Sequence, residues 1–140
     1  MGISVSIAGV EGIQKALANY DKFLTKELSN EINASALKIQ SDAKKLAPVD
    51  MGLLRNSIVL EGQSGSLTYS VAALMRYAPY VEFGTGGKVS IPNGYAEYAA
   101  QFKGNRKVVG MRAQPYLIPS FEMEVPKLFT RLKNLINAKS

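Results

Sequence analysis

The longest hydrophobic pattern in the chain runs from Glu11 to Leu46. Apolar side chains recur there at steps of three or four residues, with one double step around Ala36, and this spacing predicts an amphipathic helix. The apolar positions are Ile13, Leu17, Tyr20, Leu24, Leu28, Ile32, Ile39, Ala43 and Leu46. At 1.5 Å per residue, such a helix is about 50 Å long. A compact domain of this size is narrower, so we expect part of the apolar face to need a second molecule.

The end of this helix and the turn after it are marked by proline and glycine. Pro48 ends the helix, because the residue before a proline is disfavoured in the α region. Asp50 follows and precedes Gly52, so we predict that Asp50 caps a short turn that reaches Arg55. A break inside the helix is the competing interpretation, since Ser29 and its neighbours at 30 and 33 are weak helix formers.

Alternating apolar and polar positions predict three strands. The first is "ISVSIA" (3–8), and the other two are "NSIVLEG" (56–62) and "SLTYSVAAL" (66–74). In the last of these, alternate residues from Leu67 to Ala73 share one apolar face, and Ser57 begins the strand before it. The "GQSG" between the two predicts a turn, and hence a β-hairpin.

The second half of the chain predicts two helices separated by a loop. "YAPYVEFGT" (77–85) fits a strand or a short helix, and Pro79 with Gly84 favours the helix. Residues 86–113 lack clear periodicity and predict a loop, and a loop of this length is unusual in a compact domain and is usually functional or disordered. From residue 113 onward the spacing is helical, with Pro115 and Pro119 at the entry, and Pro126 predicts a kink or a break. The apolar positions are Leu117, Phe121, Leu128, Leu132, Leu135 and Ile136.

Composition removes several classes of site. The chain has no Cys and no His. Disulfides, thiolate chemistry, a catalytic triad and a conventional zinc site are therefore excluded. No apolar run approaches the roughly 20 residues that span a bilayer, and the first ten residues lack the features of a secretory signal. We expect no cofactor, no metal and a reducing cytoplasm.

The positive charge is concentrated in the loop. The net charge is +6, and residues 86–113 hold five cations against Glu97 alone. The cations are Lys88, Lys103, Arg106, Lys107 and Arg112. Such a segment is typical of contact with a polyanion, usually nucleic acid. "GTGGKVS" (84–90) does not have the spacing of a phosphate-binding loop.

Three charged or hydroxyl side chains raise the question of catalysis. Asp50, Arg55 and Ser57 lie close in sequence, but nothing nearby serves Ser57 as a base. Glu82 lies among aromatic residues, where it is either a general acid with a raised pKa or a structural ion-pair partner, and Arg55 is the predicted partner. A hydrolase that uses Glu82 with Asp50 or Glu97 is the least favoured alternative.

Three fragments in order carry a family resemblance. "APVDMGLLRNSI" (47–58), "YAPYVEFGT" (77–85) and "AQPYLIPSF" (113–121) resemble blocks of the minor tail-component family of long-tailed phages and prophages, which includes head–tail joining, tail-completion and neck proteins. Met51 stands where that pattern usually has Thr. The matching positions are Ala47, Pro48, Val49, Asp50, Gly52, Leu54, Ser57 and Ile58; Tyr77, Ala78, Tyr80, Val81, Glu82, Phe83, Gly84 and Thr85; and Gln114, Pro115, Tyr116, Leu117 and Pro119.

The resemblance implies an α+β fold without catalysis, in one domain over residues 1–140. We expect long N-terminal and C-terminal helices packed on a small, mainly antiparallel β-sheet, with 86–113 as an extended, flexible basic loop. The predicted structural motif comprises Pro48, Asp50, Gly52, Leu54, Arg55, Ser57, Tyr80, Glu82, Phe83, Gly84, Pro115 and Pro119. Leu54 and Ile58 are expected to hold the first block to the core.

The resemblance also implies a place and partners. We expect a virion protein, assembled in the host cytoplasm, that forms a ring (possibly a hexamer) with itself at the head–tail junction. Its neighbours would be head-connector and tail-tube proteins, and the five loop cations would face the DNA channel or the next ring. The rival interpretation is a nucleic-acid-binding module that uses the 86–113 segment. Arg55 has a second candidate partner, a carboxylate on the neighbouring subunit.

Overall fold

The structure is a computed structural model that describes residues 2–7, 22–63, 65–85, 90, 92, 94–96, 110 and 112–139. Its elements alternate helices with short strands, so the predicted α+β class is confirmed. In chain order they are β1 (Ile3–Ile7), α1 (Lys22–Leu46), α2 (Gly52–Asn56), β2 (Ile58–Glu61), β3 (Tyr69–Ala73), α3 (Ala78–Phe83) and α4 (Leu117–Lys139). Within these residues no helix is long and apolar enough to cross a membrane.

The three strands form one antiparallel sheet in the order β1-β3-β2. Ala73 on the central strand pairs with Ile3 on one side and Ile58 on the other. Because side chains alternate across a strand, this register puts all three on the same face, where each is almost fully buried. The hairpin prediction for β2 and β3 is confirmed, although Ser57 lies in the turn before β2 and not in the strand.

The two long helices cover the inner face of the sheet. α1 and α4 pack along each other, α1 also contacts β2 and β3, and α4 contacts β1. The buried side chains of α1 recur at helical spacing, and Ala36 fills the double step that the sequence left open. They are Leu24, Leu28, Ile32, Ala36, Ile39 and Ala43. The core is therefore a layer of two helices on a small sheet.

Both long helices are more continuous than the sequence indicated. α1 runs unbroken from Lys22 to Leu46, so the predicted break at the weak helix formers is wrong. Ser29 is buried there and donates a hydrogen bond of 2.6 Å to the carbonyl of Ser66, which gives this polar residue a tertiary partner. α4 likewise runs through Pro126 without a break. The predicted part of the first helix before residue 22 lies outside the described residues.

A polar network joins the two helices at their contact. Arg131 of α4 bonds Glu31 of α1 at 2.8 Å and Glu124 of its own helix at 3.4 Å. Ser35 of α1, which is fully buried, donates to Glu124 at 3.1 Å and also contacts Arg131. Buried polar groups are costly unless paired, and here each has a partner. The network therefore fixes how α1 and α4 sit against each other.

Candidate functional site

The buried acid Glu82 closes the first turn of the last helix. Glu82 lies in α3 and is 1% exposed. Its Oε2 accepts hydrogen bonds from the backbone N–H of Tyr116 at 2.8 Å and of Leu117 at 3.0 Å, and its Oε1 accepts one from Ile118 at 2.8 Å. The first N–H groups of a helix have no partner within the helix. Glu82 supplies that partner from another element, and we call this arrangement the carboxylate clamp.

Two opposing effects act on the pKa of the Glu82 carboxyl. Burial raises the pKa of the Glu82 carboxyl, and the three N–H donors lower it without fully offsetting the burial. The nearby charge of Glu122 raises the pKa further. A helix N-terminus also carries a partial positive charge, which favours an acid at this place. The three backbone hydrogen bonds from the start of α4 thus hold Glu82 in place, which accounts for an acid buried among aromatic residues.

The clamp also ties down both ends of the long loop. The N–H of Ser90 donates to the carbonyl of Phe83 at 2.7 Å, and that of Gln114 donates to Val81 at 2.8 Å. A Cβ at Gly110 would collide with the carbonyl of Thr85, so glycine permits a close approach there. The second and third blocks of the sequence therefore meet in space, and they form a base on either side of the 86–113 segment.

Several residues of the predicted motif serve this base. Phe83 is buried, and Gly84 follows α3 with a φ of 81°, a left-handed conformation that favours glycine. Pro119 lies in the first turn of α4, and Pro115 precedes the helix at an exposed position. Tyr80 is partly exposed at 38%. The structure thus gives four of these residues positions at one junction, with Tyr80 at its surface.

The first sequence block forms a sharp elbow between α1 and β2. The N–H of Met51 bonds the carbonyl of Pro48 at 3.1 Å, which makes the turn, and α2 follows. Leu54 and Ile58 are both fully buried, so the prediction that they hold this segment to the core is confirmed. A Cβ at Gly52 would meet open space, so the turn does not depend on a glycine there.

Two predictions about the elbow are wrong. Asp50 does not cap α2: the N-cap residue is Met51, without a side-chain cap, and Asp50 is exposed in the turn one residue earlier. The helix begins one residue later than the capping pattern requires. Ser57 does not begin the second strand, as the sequence predicts, because β2 starts at Ile58. Its hydroxyl instead donates to the carbonyl of Leu54 at 2.8 Å, which closes the C-terminal end of α2.

The predicted pair between Arg55 and Glu82 is also wrong, because backbone groups occupy the carboxylate. Arg55 instead lines a shallow cavity of about 410 Å³ with Ser41, Lys44 and Lys45. No acid among the described residues pairs with these three cations. The Nε of Arg55 is enclosed and has no hydrogen-bond partner in the part of the chain that the structure describes. We call these four residues the cationic pocket.

Apolar side chains are exposed beside the cationic pocket. Val49 is 87% exposed, Leu53 is 70% exposed and Leu46 is 46% exposed. All three belong to the end of α1 and the elbow that follows it, and Lys44 and Lys45 precede Leu46 directly. We call these three residues the elbow patch. An apolar patch with a charged rim is typical of a protein-binding surface.

The predicted loop cations contribute little to the described geometry. Lys88, Lys103, Arg106 and Lys107 lie outside the described residues, and Arg112 is exposed. Across the described parts of the chain, no group of three acids is arranged to hold a metal ion. Three features of the described structure therefore stand out: the buried clamp, and the cationic pocket and elbow patch on the surface.

Sequence reasoning missed the clamp and the cationic pocket. A usable signal for the clamp was present: α4 begins after Gln114, Pro115 and Tyr116, none of which is a good N-cap, so its first N–H groups need an acceptor from elsewhere. No comparable signal exists for the pocket, because Ser41 and Arg55 come together only through the turn at Pro48.

Comparison with known proteins identifies one family. Residues 11–84 match the model of the HK97-gp10-like family, described as "Bacteriophage HK97-gp10, putative tail-component". The match spans slightly more than half of the chain and includes α1, the elbow, the hairpin and α3. No curated protein and no solved structure matches the chain.

Proposed function

Because the chain belongs to the HK97-gp10-like family of bacteriophage tail components, we propose that it is a structural virion protein that assembles with itself into a ring at the head–tail junction. The ring would join or complete the tail and surround the channel through which the DNA passes. Family membership carries the assignment to the tail, and the surface of the structure supports the self-assembly.

The elbow patch is the observation that supports self-assembly. Its three apolar side chains project from a turn that Leu54 and Ile58 hold rigidly to the core. Covering such exposed apolar groups with another surface is favourable by about 25 cal/mol for each Å² removed from water. A fixed elbow also costs little conformational entropy on binding. The elbow therefore suits a contact between subunits.

The charge of the chain supports a place around DNA. The net charge of +6 includes a net +4 within residues 86–113, and the clamp fixes the base of that segment on the core. Basic residues neutralise phosphates without reading sequence. A ring of such subunits would lower the electrostatic cost of holding DNA in its channel. No catalytic role is needed, since the buried acid is occupied as a helix cap.

A gene deletion tests the proposed function directly. Phage produced without this chain should accumulate separate DNA-filled heads and tails, and electron microscopy of the isolated wild-type protein or of assembled necks should show rings. Complete infectious particles in its absence would contradict the proposal. Affinity for free DNA that falls steeply with salt, without any oligomer, would favour a nucleic-acid-binding module instead.

A pair of matched variants tests the role of the elbow patch in the same particles. Leu53→Asp places a charge in the patch and should abolish incorporation of the chain into tails. Phe129→Asp makes the same change at an exposed position on α4, where Phe129 is 48% exposed, and should leave incorporation intact. Equal incorporation of the two variants into tails would show that the elbow is not part of the interface.

A further inference from the structure

The cationic pocket holds three positive charges with no counter-charge among the described residues. Lys44 and Lys45 from the end of α1 and Arg55 from α2 line one cavity with Ser41. Like charges held close together repel each other, and an enclosed guanidinium nitrogen without a partner is costly. An anion from another molecule would relieve the repulsion between these charges. The Ser41 hydroxyl adds a neutral donor for the same anion.

The surroundings of the pocket favour a carboxylate on a protein over a phosphate of DNA. Leu46, Val49 and Leu53 are exposed along the same segment. A nucleic-acid backbone offers no apolar surface to cover these side chains, whereas another protein does. Arg also binds a carboxylate through two parallel hydrogen bonds, which gives such a contact a fixed geometry.

Outside the elbow, Glu61 and Glu122 are the described acids that are exposed and make no ion pair with a described residue, and the surface around Glu61 favours it as the candidate on a second copy of the chain. Glu31 and Glu124 are paired with Arg131, Asp42 with Lys38, and Glu82 with the α4 backbone. Glu27 has an enclosed carboxylate oxygen, Glu122 lies near Tyr95 and Glu82, and Asp50 belongs to the elbow itself. Glu61, at the end of β2, is exposed and makes no ion pair with a described residue.

Glu61 lies on the outer face of the sheet, beside a hollow and an exposed apolar side chain. The register places Glu61, Ser70 and Ser6 in one row across the outer face of the sheet, the face turned away from α1 and α4. A hollow of about 260 Å³ opens there, with Glu61 on its rim and Ala72, Ala73 and Leu74 in its wall. Leu74 is 55% exposed. The hollow thus combines one acid and the hydroxyls of Ser4 and Ser70 with the apolar side chains of Ala72 and Leu74.

We propose that the elbow of one copy docks on the outer face of the sheet of the next copy, with Glu61 of the second copy in the cationic pocket. Val49 and Leu53 then cover the apolar lining around Leu74. This inference rests on the proposed self-assembly and names its contact. The two surfaces differ, so the contact is head-to-tail, and repetition of a head-to-tail contact closes into a ring when the rotation between copies permits.

Cysteine cross-linking tests which surfaces meet, and the chain suits it because it has no native Cys. Ser41→Cys marks the pocket and Ser70→Cys marks the hollow, and both changes keep every charge. With a short bis-maleimide, assembled protein that carries both substitutions should give a ladder of covalent oligomers. Each single variant alone should give no dimer, and a mixture of the two single variants should give dimers only.

Charge reversal tests the ion pair itself. Arg55→Glu and Glu61→Lys should each weaken self-association by at least about tenfold, because each brings like charges together at a contact. The double variant Arg55→Glu/Glu61→Lys restores opposite charges and should recover most of that loss. Lys133→Glu, an exposed reversal on α4, is the control for a general effect of net charge. Circular dichroism of each variant establishes that it folds.

The outcomes separate this inference from the proposed function. If the protein assembles but the Ser41/Ser70 pair gives no ladder, the named contact is wrong and the proposed function stands. Failure of the double charge reversal to recover association would also overturn the Glu61 contact, and would leave another virion protein as the ligand of the pocket. A chain that assembles neither alone nor in tails contradicts both.

Discussion

Glu82 and Arg55 are two charged side chains that the same three sequence blocks place in contrasting environments. Glu82 is almost fully buried, and its carboxylate receives three backbone hydrogen bonds of 2.8 to 3.0 Å. Arg55 is half-buried, and its enclosed Nε has no partner in the described structure. The acid is satisfied within the chain, whereas the cation is not.

This difference separates folding from assembly. A group whose partners all lie within one chain stabilises the fold, and its loss leaves buried donors unsatisfied. A group left without a counter-charge adds little to the stability of the isolated chain and is available to another molecule. We therefore expect substitutions at the clamp to act on unfolding and substitutions at the cationic pocket to act on association.

The largest effect should come from Glu82→Ala. It removes the acceptor of three N–H groups at the start of α4, and each buried donor left unsatisfied costs about 1–3 kcal/mol. We expect the free energy of unfolding to fall by about 3–5 kcal/mol, because water entering the space offsets part of the loss. Urea unfolding followed by circular dichroism measures this.

Glu82→Gln is the matched control for the clamp. The amide keeps one acceptor oxygen and nearly the same volume, so the free energy of unfolding should fall by only about 1–3 kcal/mol. If Glu82→Ala lies within about 1 kcal/mol of the wild type, a typical surface effect, the clamp does not stabilise the fold and the contrast with Arg55 is lost.

Arg131 provides a cation with partners, for comparison with Arg55. Arg131→Met removes the ion pairs to Glu31 and Glu124 and leaves Glu124 buried with only Ser35 as donor. We expect a loss of about 1–3 kcal/mol in the free energy of unfolding, since the partner left buried carries the cost. Chemical denaturation measures it, and a loss no greater than that of Arg55→Met would show that partners do not distinguish the two cations.

The pH dependence of stability should show a smaller effect of Glu82, because the N–H donors partly offset the influence of burial on its pKa. The pKa is raised in the folded state, so between the unfolded and folded values the folded chain binds more protons. Its contribution to stability is therefore full below the unfolded pKa and is lost as pH rises through the folded value. The unfolding free energy of wild type minus that of Glu82→Gln should decrease over this mildly acidic window. A difference that grows with pH there would contradict a raised pKa.

The smallest effect on stability should come from Arg55→Met. The substitution keeps the apolar stem and removes a charge that repels Lys44 and Lys45, so we expect the free energy of unfolding to stay within about 1 kcal/mol of the wild type. Thermal and urea unfolding measure it. A loss comparable with that of Glu82→Ala would mean that Arg55 has an intramolecular role in the fold.

The hydrophobic pattern predicted most of the fold because burial imposes it directly. The faces of α1 and α4, the hairpin and the short helix at 78–83 bury most of the side chains that the spacing selected, whereas Leu46 at the end of α1 is exposed. The polar residues were harder to interpret, because their partners depend on tertiary geometry. Ser29 looked like a weak point of α1 and instead binds the hairpin, and Pro126 is accommodated on the exposed side of α4.

The surface sites could be predicted only in part for the same reason. The sequence identified Glu82 as unusual but assigned it a charged partner, because spacing does not reveal a helix N-terminus that arrives from 34 residues away. Asp50 is of a residue type that commonly caps helices, but it lies one residue before the N-cap position of α2. For Arg55 the sequence left two candidate partners, Glu82 and a carboxylate on the neighbouring subunit, and the structure rules out Glu82.

The most direct test is the self-association of Arg55→Met, measured by sedimentation beside the wild type at equal folded stability. We expect association at least about tenfold weaker than that of the wild type, with an unfolding free energy unchanged within about 1 kcal/mol. Association equal to that of the wild type would contradict the account. A loss of association that merely follows a loss of stability would contradict it as well, since it would place Arg55 with Glu82 among the groups that hold the fold.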